Sequence, residues 1–175
     1  MLNLKLPKYT SDTPVPLGPS EPTTDLVIYV DGSCQPNPGN MYVGVAVFMK
    51  EDMLWHDTAF AGAGTNNQAE CHAFIHAARA LHHLQRQFPQ YKIPSTIVSD
   101  SRLAVDAYNQ LHLPSNPSFG VLFDRYRQLI GRVDPNPVII WVPRAQNKHA
   151  DRLSKLLQPS TTTRHMITLA PEPEE

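Results

Sequence analysis

Four acidic residues lie where they could act together on a metal ion. Asp31 follows the apolar run LVIYV, and Asp100 closes the apolar run TIVSD. Glu70 falls in the first turns of a predicted long helix, and Asp151 falls early in a predicted last helix. Carboxylate oxygens without Cys or His favour Mg²⁺ or Mn²⁺ over zinc, and two such ions about 4 Å apart can clamp the attacking and leaving oxygens of a phosphoryl displacement. Any acidic surface can supply four carboxylates, so this chemistry depends on how the chain positions them.

The segment YVDGSCQPNPG around Asp31 allows two interpretations. Asp-Gly after an apolar run is a strong hairpin signal, which would make Asp31 part of a turn. A two-residue hairpin requires its partner strand to begin at once, whereas SCQPNPGNM precedes the next apolar run, YVGVAV. We therefore expect Asp31 to end the first strand, where a rigid element holds its carboxylate in place.

The elements that would position these residues follow the order βββαβααβα. The runs DLVIYVDG, YVGVAVFMK and LWHDTAFAG predict an antiparallel meander, and STIVSD and PVIIWVP predict two further strands that lie parallel to the first. Helices are predicted for TNNQAECHAFIHAARALHHLQRQF, SRLAVDAYNQL, FGVLFDRYRQLIGRV and QNKHADRLSKLL. The result is an α/β fold, a five-stranded mixed sheet with helices packed on it. Strand ends and neighbouring helix starts form the crevice of such a sheet, so the four carboxylates can converge there.

Helical phase places Glu70 on a buried stripe. At about 100° per residue it shares a side of its helix with Phe74, Ala77 and Leu81. A buried carboxylate is costly unless it is paired or binds a metal. The surrounding GTNNQAECHAF contains no Lys or Arg, which favours a metal.

Composition and length predict one domain with two tails. We expect a Pro-rich mobile extension over residues 1–23, a domain over residues 24–158 and a tail over residues 159–175, in which HMITLA could add a short strand. The two cysteines form no disulfide framework, and no apolar stretch approaches a membrane span. A soluble, cytoplasmic protein is therefore expected, with no membrane contact and no protein partner implied, acting as a monomer. The net charge of −1 conceals eleven Lys and Arg against five Asp over residues 79–155, so a polyanionic partner is not excluded.

Four motifs together resemble those of ribonuclease H type 1. DGSCQPNPG, TNNQAE, VSDS and NKHAD occur in the family's order, with the expected elements between them. The resemblance implies the ribonuclease H fold and a metal-dependent endonuclease that cuts the RNA strand of an RNA–DNA hybrid, leaving a 3′-hydroxyl and a 5′-phosphate. It also implies two Mg²⁺ or Mn²⁺ ions with substrate bound. Asp31 would bridge both ions, Asp151 would serve the ion that activates water, and Glu70 with Asp100 would hold the other.

The same resemblance implies a set of substrate contacts. Short amides and exposed backbone can recognise the 2′-hydroxyl of RNA with little sequence preference. Thr65 would belong to a pocket for a DNA phosphate, although TNNQ could also be a helix cap alone. The residues implied in minor-groove contacts are Gly32, Ser33, Cys34, Asn37, Asn66, Asn67 and Gln68.

Two departures indicate a short variant of the family. The compact VPRAQNKHAD lacks the flexible loop in which many members carry a His, and Arg144 is the best placed substitute by position. His149 is interpreted as a packing or surface residue. The basic protrusion is also missing, because NQLHLPSNPSFG contains no Lys or Arg. Hybrid affinity would then depend on side chains such as Arg102, Arg125, Arg127 and Arg144, and would be salt-sensitive.

Two other functions are compatible with the fold. The first is a catalytically silent domain that binds RNA or hybrid, and the presence of all four carboxylates argues against it. The second is a DNA nuclease of the same fold, such as a junction resolvase or a transposase, and the expected 2′-hydroxyl contacts argue against that.

Overall fold

The computed structural model describes residues 26–87, 94–110, 114–134, 136–156 and 163–166. The predicted extension, residues 1–23, and most of the predicted tail lie outside the described residues. No helix in these ranges is both long and apolar enough to cross a membrane. The strands are β1 (Leu26–Gln35), β2 (Gly39–Met49), β3 (Asp52–Gly64), β4 (Ser95–Ser99), β5 (Val138–Trp141) and β6 (Thr163–Met166). The helices are α1 (Asn66–Gln87), α2 (Arg102–Tyr108), α3 (Pro117–Ile130) and α4 (Lys148–Lys155), and a 3₁₀ turn, Arg144–Gln146, precedes α4.

The strands form one mixed sheet in the order β5-β4-β1-β2-β3-β6. β1, β2 and β3 are antiparallel neighbours, and β4 is parallel to both β1 and β5. The predicted α/β fold, with three antiparallel strands followed by two parallel ones, is therefore confirmed. β6 adds an antiparallel strand at the edge of β3, in the segment assigned to the tail. The sequence allowed a short strand at HMITLA, and the observed strand begins two residues before it.

Asp31 does not end β1. The parallel pairing of β1 with β4 stops at Tyr29, opposite Val98, but the antiparallel pairing with β2 continues to Gln35. The turn to β2 lies at residues 36–38, so the expected loop after Asp31 is mostly strand. The expectation was wrong because β1 has two partners that end at different places. Asp31 lies just beyond the point where β4 leaves β1.

The alternation of β1 gives Asp31 and Gly32 opposite faces of the sheet. Ile28 and Val30 belong to the large core that contains the buried residues of α1, α2 and α3. Val27 belongs to a smaller cluster on the other face, against which Tyr29 packs. By the same alternation, Asp31 lies on the face of Val27 and Tyr29, and Gly32 lies on the face of Ile28 and Val30. The site is therefore built between helices on both faces of the sheet.

Candidate active site

Three of the four predicted carboxylates converge. One oxygen each of Asp31, Glu70 and Asp100 can be chosen so that all three lie within 4.8 Å of one another. Asp31 comes from β1, Glu70 from the second turn of α1, and Asp100 from the residue after β4. Sequence reasoning predicted that all four would meet at strand ends and helix starts. Three of them meet, although Asp31 lies inside β1 rather than at its end.

Gly32 allows Glu70 to reach Asp31. A Cβ atom at Gly32 would lie 2.2 Å from the carbonyl carbon of Ala69 and 2.2 Å from the nitrogen of Glu70. The backbone of α1 therefore touches β1 directly at this point, and only glycine fits. The Gly32 amide donates a hydrogen bond to Glu70 Oε2 at 3.1 Å. This amide, predicted to face the hybrid, is thus occupied by Glu70.

Gly44 has the same role on the other face. It pairs with Asp31 across the strands, and a Cβ atom there would lie 2.5 Å from the oxygen of Ala150 and 2.5 Å from the nitrogen of Ser154. The close approach brings α4 onto the sheet directly over Asp31. As a result, the Ser154 hydroxyl donates a hydrogen bond to Asp31 Oδ2.

Asn147 is a site residue that sequence reasoning missed. Its side chain is fully buried, and its Nδ2 donates to Asp100 Oδ1 at 2.7 Å and to the Val30 carbonyl at 2.9 Å. The Trp141 indole donates to the Asp100 carbonyl at 3.0 Å. The signal was present in the motif NKHAD, but an Asn before a helix is usually a cap. Here its side chain makes no capping hydrogen bond.

Asp151 lies outside the three-carboxylate cluster in the structure. Lys155 Nζ lies 2.6 Å from Asp151 Oδ1 and 2.7 Å from Oδ2, and Arg144 Nη2 also donates to Oδ1. The carboxylate is partly exposed, at 21% of its side-chain surface. Asp151 is therefore held by two cations, unlike the other three carboxylates.

The pKa values of the carboxylates are shifted in two different directions. Burial, with the neighbouring charges of Asp100 and Asp151, raises the pKa of Asp31 to about 6, although the Ser154 hydrogen bond acts against it. Burial and the charges of Asp31 and Asp100 raise the pKa of Glu70 well above its usual range. Partial burial acts in the same direction on Asp151, but Lys155 and Arg144 outweigh it and lower the pKa of that carboxyl. The buried pair thus carries an electrostatic cost that a cation would relieve.

The donor set fits a hard divalent cation. Among the described residues, no Lys, Arg or His forms an ion pair with Asp31, Glu70 or Asp100. Three carboxylate oxygens within 4.8 Å match the ligand preference of Mg²⁺ or Mn²⁺, and no His or Cys ligand joins them. The cluster is therefore suited to hold such an ion.

The predicted substrate residues at the start of α1 also form a cap. The Thr65 amide donates to Gln68 Oε1 at 2.9 Å, and the Gln68 amide donates to Thr65 Oγ1 at 3.3 Å, which is a reciprocal capping box. The Asn66 amide donates to Asn37 Oδ1 at 3.0 Å and so joins the β1–β2 turn to α1. Gln68 Nε2 also donates to Ser118 Oγ on α3 at 3.1 Å. The alternative of a helix cap therefore accounts for Thr65 and for part of Gln68.

Some of the other predicted substrate residues already use their side chains in hydrogen bonds within the protein. The Ser33 hydroxyl donates to the Ser154 carbonyl at 2.6 Å, so it anchors α4. The Cys34 thiol lies 3.1 Å from the Pro36 carbonyl and 3.2 Å from the Gly64 carbonyl. Asn67 lies exposed in the first turn of α1. Asn67 is thus the best presented of these side chains.

Arg144 lies in the 3₁₀ turn before α4, and its role in place of the missing His stays a prediction. The guanidinium of Arg144 is 65% exposed, and the charges of Asp151, Asp31 and Asp100 raise its pKa. His149 packs its ring against Phe48 with centroids 5.1 Å apart, which confirms its interpretation as a packing or surface residue.

Comparisons with known proteins agree with this geometry. A family model described as RNase H matches residues 23–121. The fold is similar to RNase H1 from the halophilic archaeon Halobacterium salinarum NRC-1, at 28% identity and a TM-score of 0.64, over 74% of this chain and 93% of that chain. It is similar to LC11-RNase H1 in complex with an RNA/DNA hybrid, at 30% identity and a TM-score of 0.66, over 73% of this chain and 92% of that chain. It is also similar to an N-terminal RNase H domain from Mycobacterium tuberculosis, at 27% identity and a TM-score of 0.65, over 74% of this chain and 95% of that chain. With the fold, the three converging carboxylates and the family match over more than half of its length, the chain belongs to the ribonuclease H family.

Proposed function

We propose that this protein hydrolyses the RNA strand of RNA–DNA hybrids with two divalent metal ions, leaving a 3′-hydroxyl and a 5′-phosphate. The observation that carries the proposal is the convergence of Asp31, Glu70 and Asp100 at a site where no cation pairs with them among the described residues. The similarity to LC11-RNase H1, whose structure contains an RNA/DNA hybrid, supports the choice of substrate.

The buried carboxylates would hold the metal. Asp31 and Glu70 are 4% and 8% exposed, so their negative charge is poorly solvated. Bound Mg²⁺ or Mn²⁺ ions would lower the pKa of a water molecule and neutralise charge on the leaving oxygen. The chain contributes by keeping the three carboxylates close and by orienting each through one hydrogen bond, from Gly32, Ser154 or Asn147.

Asp151 would join the site when substrate arrives. Its two cationic partners, Arg144 and Lys155, are 65% and 51% exposed. A phosphate of the RNA strand would offer these cations an alternative partner, because Arg and Lys both bind phosphate oxygens. Asp151 would then be released toward the second ion. Arg144, which also interacts electrostatically with Asp31 and Asp100, is the better placed of the two.

The hybrid would lie across the β1–β2 turn and the start of α1. Asn37 is exposed in that turn and Asn67 is exposed on α1, and both would present an amide group to a 2′-hydroxyl. Thr65 and Gln68 hold this end of α1 in place through the capping box. The backbone there is therefore fixed before substrate binds.

The test is a cleavage assay on three labelled duplexes. The protein is incubated with Mg²⁺ or Mn²⁺ and an RNA–DNA hybrid, double-stranded RNA or double-stranded DNA. We expect cleavage of the RNA strand in the hybrid alone, with 5′-phosphate ends that phosphatase removes. Asp100→Asn should abolish cleavage, whereas Asp124→Asn, which changes an exposed carboxylate on α3, should not.

Two results would contradict the proposal. Tight hybrid binding without cleavage in either metal would indicate a silent binding domain. Cleavage of double-stranded DNA at a comparable rate would indicate a DNA nuclease of the same fold.

A further inference from the structure

We propose that two buried polar side chains of the α4 region, Asn147 and Ser154, are positioning residues that set the affinity of the carboxylate cluster for divalent metal. The inference rests on the proposed function, because it concerns the same metal site. It assigns α4 a role beyond that of carrying Asp151.

Both side chains reach the cluster from one face of the helix. Asn147 immediately precedes α4, and Ser154 lies seven residues later, so about two turns separate them on the same side. Both residues have no solvent exposure. Ser154 donates to Asp31 Oδ2, and Asn147 donates to Asp100 Oδ1 at 2.7 Å. α4 therefore orients two of the three converging carboxylates.

The chemistry of these donors suits a site that must attract a cation. A hydroxyl or an amide orients a carboxylate without cancelling its charge, whereas Lys or Arg would compete with a metal. Asp151 shows the contrast, since Lys155 and Arg144 both pair with it. Neutral donors fix the positions of the Asp31 and Asp100 carboxylates, and the negative charge of these groups stays available to bind a metal.

Each of the two donors also lies within hydrogen-bond distance of a backbone carbonyl. Asn147 Nδ2 also donates to the Val30 carbonyl at 2.9 Å, which ties the amide to β1. A flipped amide would place its oxygen against the oxygens of Val30 and Asp100, so this orientation is the favourable one. The Ser154 hydroxyl lies 3.0 Å from the Asp151 carbonyl, but its single proton is better used by the charged carboxylate of Asp31.

A neighbouring contact provides a matched control. The Thr58 hydroxyl donates to the Leu153 carbonyl at 2.9 Å and so fastens α4 to β3 without touching a carboxylate. Thr58→Val and Ser154→Ala each remove one buried hydroxyl where α4 meets the sheet. Only Ser154→Ala removes a donor to the metal site.

The experiment measures metal binding directly. Mn²⁺ affinity of the substrate-free protein is determined by titration calorimetry for the parent, Ser154→Ala and Thr58→Val, and the Mn²⁺ concentration that gives half-maximal hybrid cleavage is determined for each. Ser154→Ala should weaken Mn²⁺ binding about tenfold and raise the half-maximal concentration similarly, with most of the rate recovered at saturating metal. Thr58→Val should lower the Tm but keep the Mn²⁺ affinity within about twofold of the parent. Asn147→Ala, which removes the donor to Asp100 without adding a charge, should weaken Mn²⁺ binding by a factor similar to that of Ser154→Ala.

The outcomes separate the inference from the proposed function. If the parent binds Mn²⁺ and Ser154→Ala binds it equally well, the inference is wrong and the proposed function stands. The inference is also wrong if Thr58→Val loses as much affinity as Ser154→Ala, since the effect would then come from helix anchoring. If the parent binds no Mn²⁺ and also fails to cleave hybrid when Mn²⁺ is supplied, both are overturned.

Discussion

Asp31 and Glu70 are carboxylates buried next to each other, and their hydrogen-bond partners are neutral groups rather than cations. Burial raises the pKa of both, that of Asp31 to about 6. Their charge is therefore a cost to the metal-free fold, in contrast to Asp151, whose pKa is lowered by its two cations. The same cost is what makes the site attractive to a metal.

The raised pKa of Asp31 predicts a pH-dependent effect of its replacement. A carboxyl whose pKa is about 6 when folded and near 4 when unfolded takes up a proton on folding, so its contribution to stability falls as the pH rises through this window. Asp31→Asn should thus stabilise the metal-free protein at pH 8, by on the order of 2–3 kcal/mol, and much less at pH 4. Urea unfolding of the parent and the variant at both pH values measures the difference. Equal differences at the two pH values would show that Asp31 has an ordinary pKa.

Arg144 should act on substrate rather than on metal. Its guanidinium is exposed beside Asp151, so Arg144→Met should raise the KM for hybrid by about fivefold and reduce the slope of log affinity against log salt by about 1. Salt titrations of hybrid binding to the parent, Arg144→Met and Arg132→Met measure this slope. Arg132 is an exposed Arg after α3 and serves as the control. An unchanged slope in Arg144→Met would exclude a phosphate contact.

At the scale of elements, the site depends on two glycines that let helices touch the sheet. α1 meets β1 at Gly32, and α4 meets β2 at Gly44. These contacts bring Glu70 and Ser154 to Asp31 from opposite faces. The carboxylate spacing is therefore a property of helix–sheet packing and not of any one loop.

Gly32→Ala tests this dependence. Its methyl group would lie 2.2 Å from the backbone of α1, so the helix must move, and we expect a loss of about 2–4 kcal/mol in stability together with weaker metal binding. Gly120→Ala, in α3, meets nothing within 4 Å and should be neutral or slightly stabilising. Denaturant unfolding and Mn²⁺ titration of both variants provide the comparison. A Gly32→Ala protein with parental stability would contradict the close packing.

The strands and helices were largely predictable from sequence, because the spacing of apolar residues and the Gly, Pro and polar residues between apolar runs are local signals. The order of strands and helices and the burial of Glu70 were confirmed. The extent of β1 beyond Asp31 was not predictable, since it depends on the length of pairing with β2. Asn147 and Ser154 were missed because their roles exist only once α4 has packed on the sheet. A Ser in a helix or an Asn before one carries no sign of the carboxylate it will meet.

At the scale of the whole molecule, the mixed sheet brings together residues far apart in the chain. Asp31, Glu70 and Asp100 are contributed by three elements, and the donors that orient them come from β1 and the α4 region. β6 pairs with residues 55–58 of β3 and is the edge strand of the sheet on that side. The monomeric state stays a prediction.

Asp31, Glu70 and Asp100 are proposed to form the metal site of a nuclease that acts on RNA–DNA hybrid. The most direct test is the rate of RNA-strand cleavage in an RNA–DNA hybrid by Asp31→Asn relative to Asp124→Asn, at saturating Mn²⁺, with both proteins shown to be folded by their unfolding transitions. We predict that Asp31→Asn is at least about a thousandfold slower, because it would remove a ligand of the ions proposed to stabilise the transition state. Cleavage by Asp31→Asn at a rate close to that of Asp124→Asn would show that the reaction does not depend on the Asp31 carboxylate.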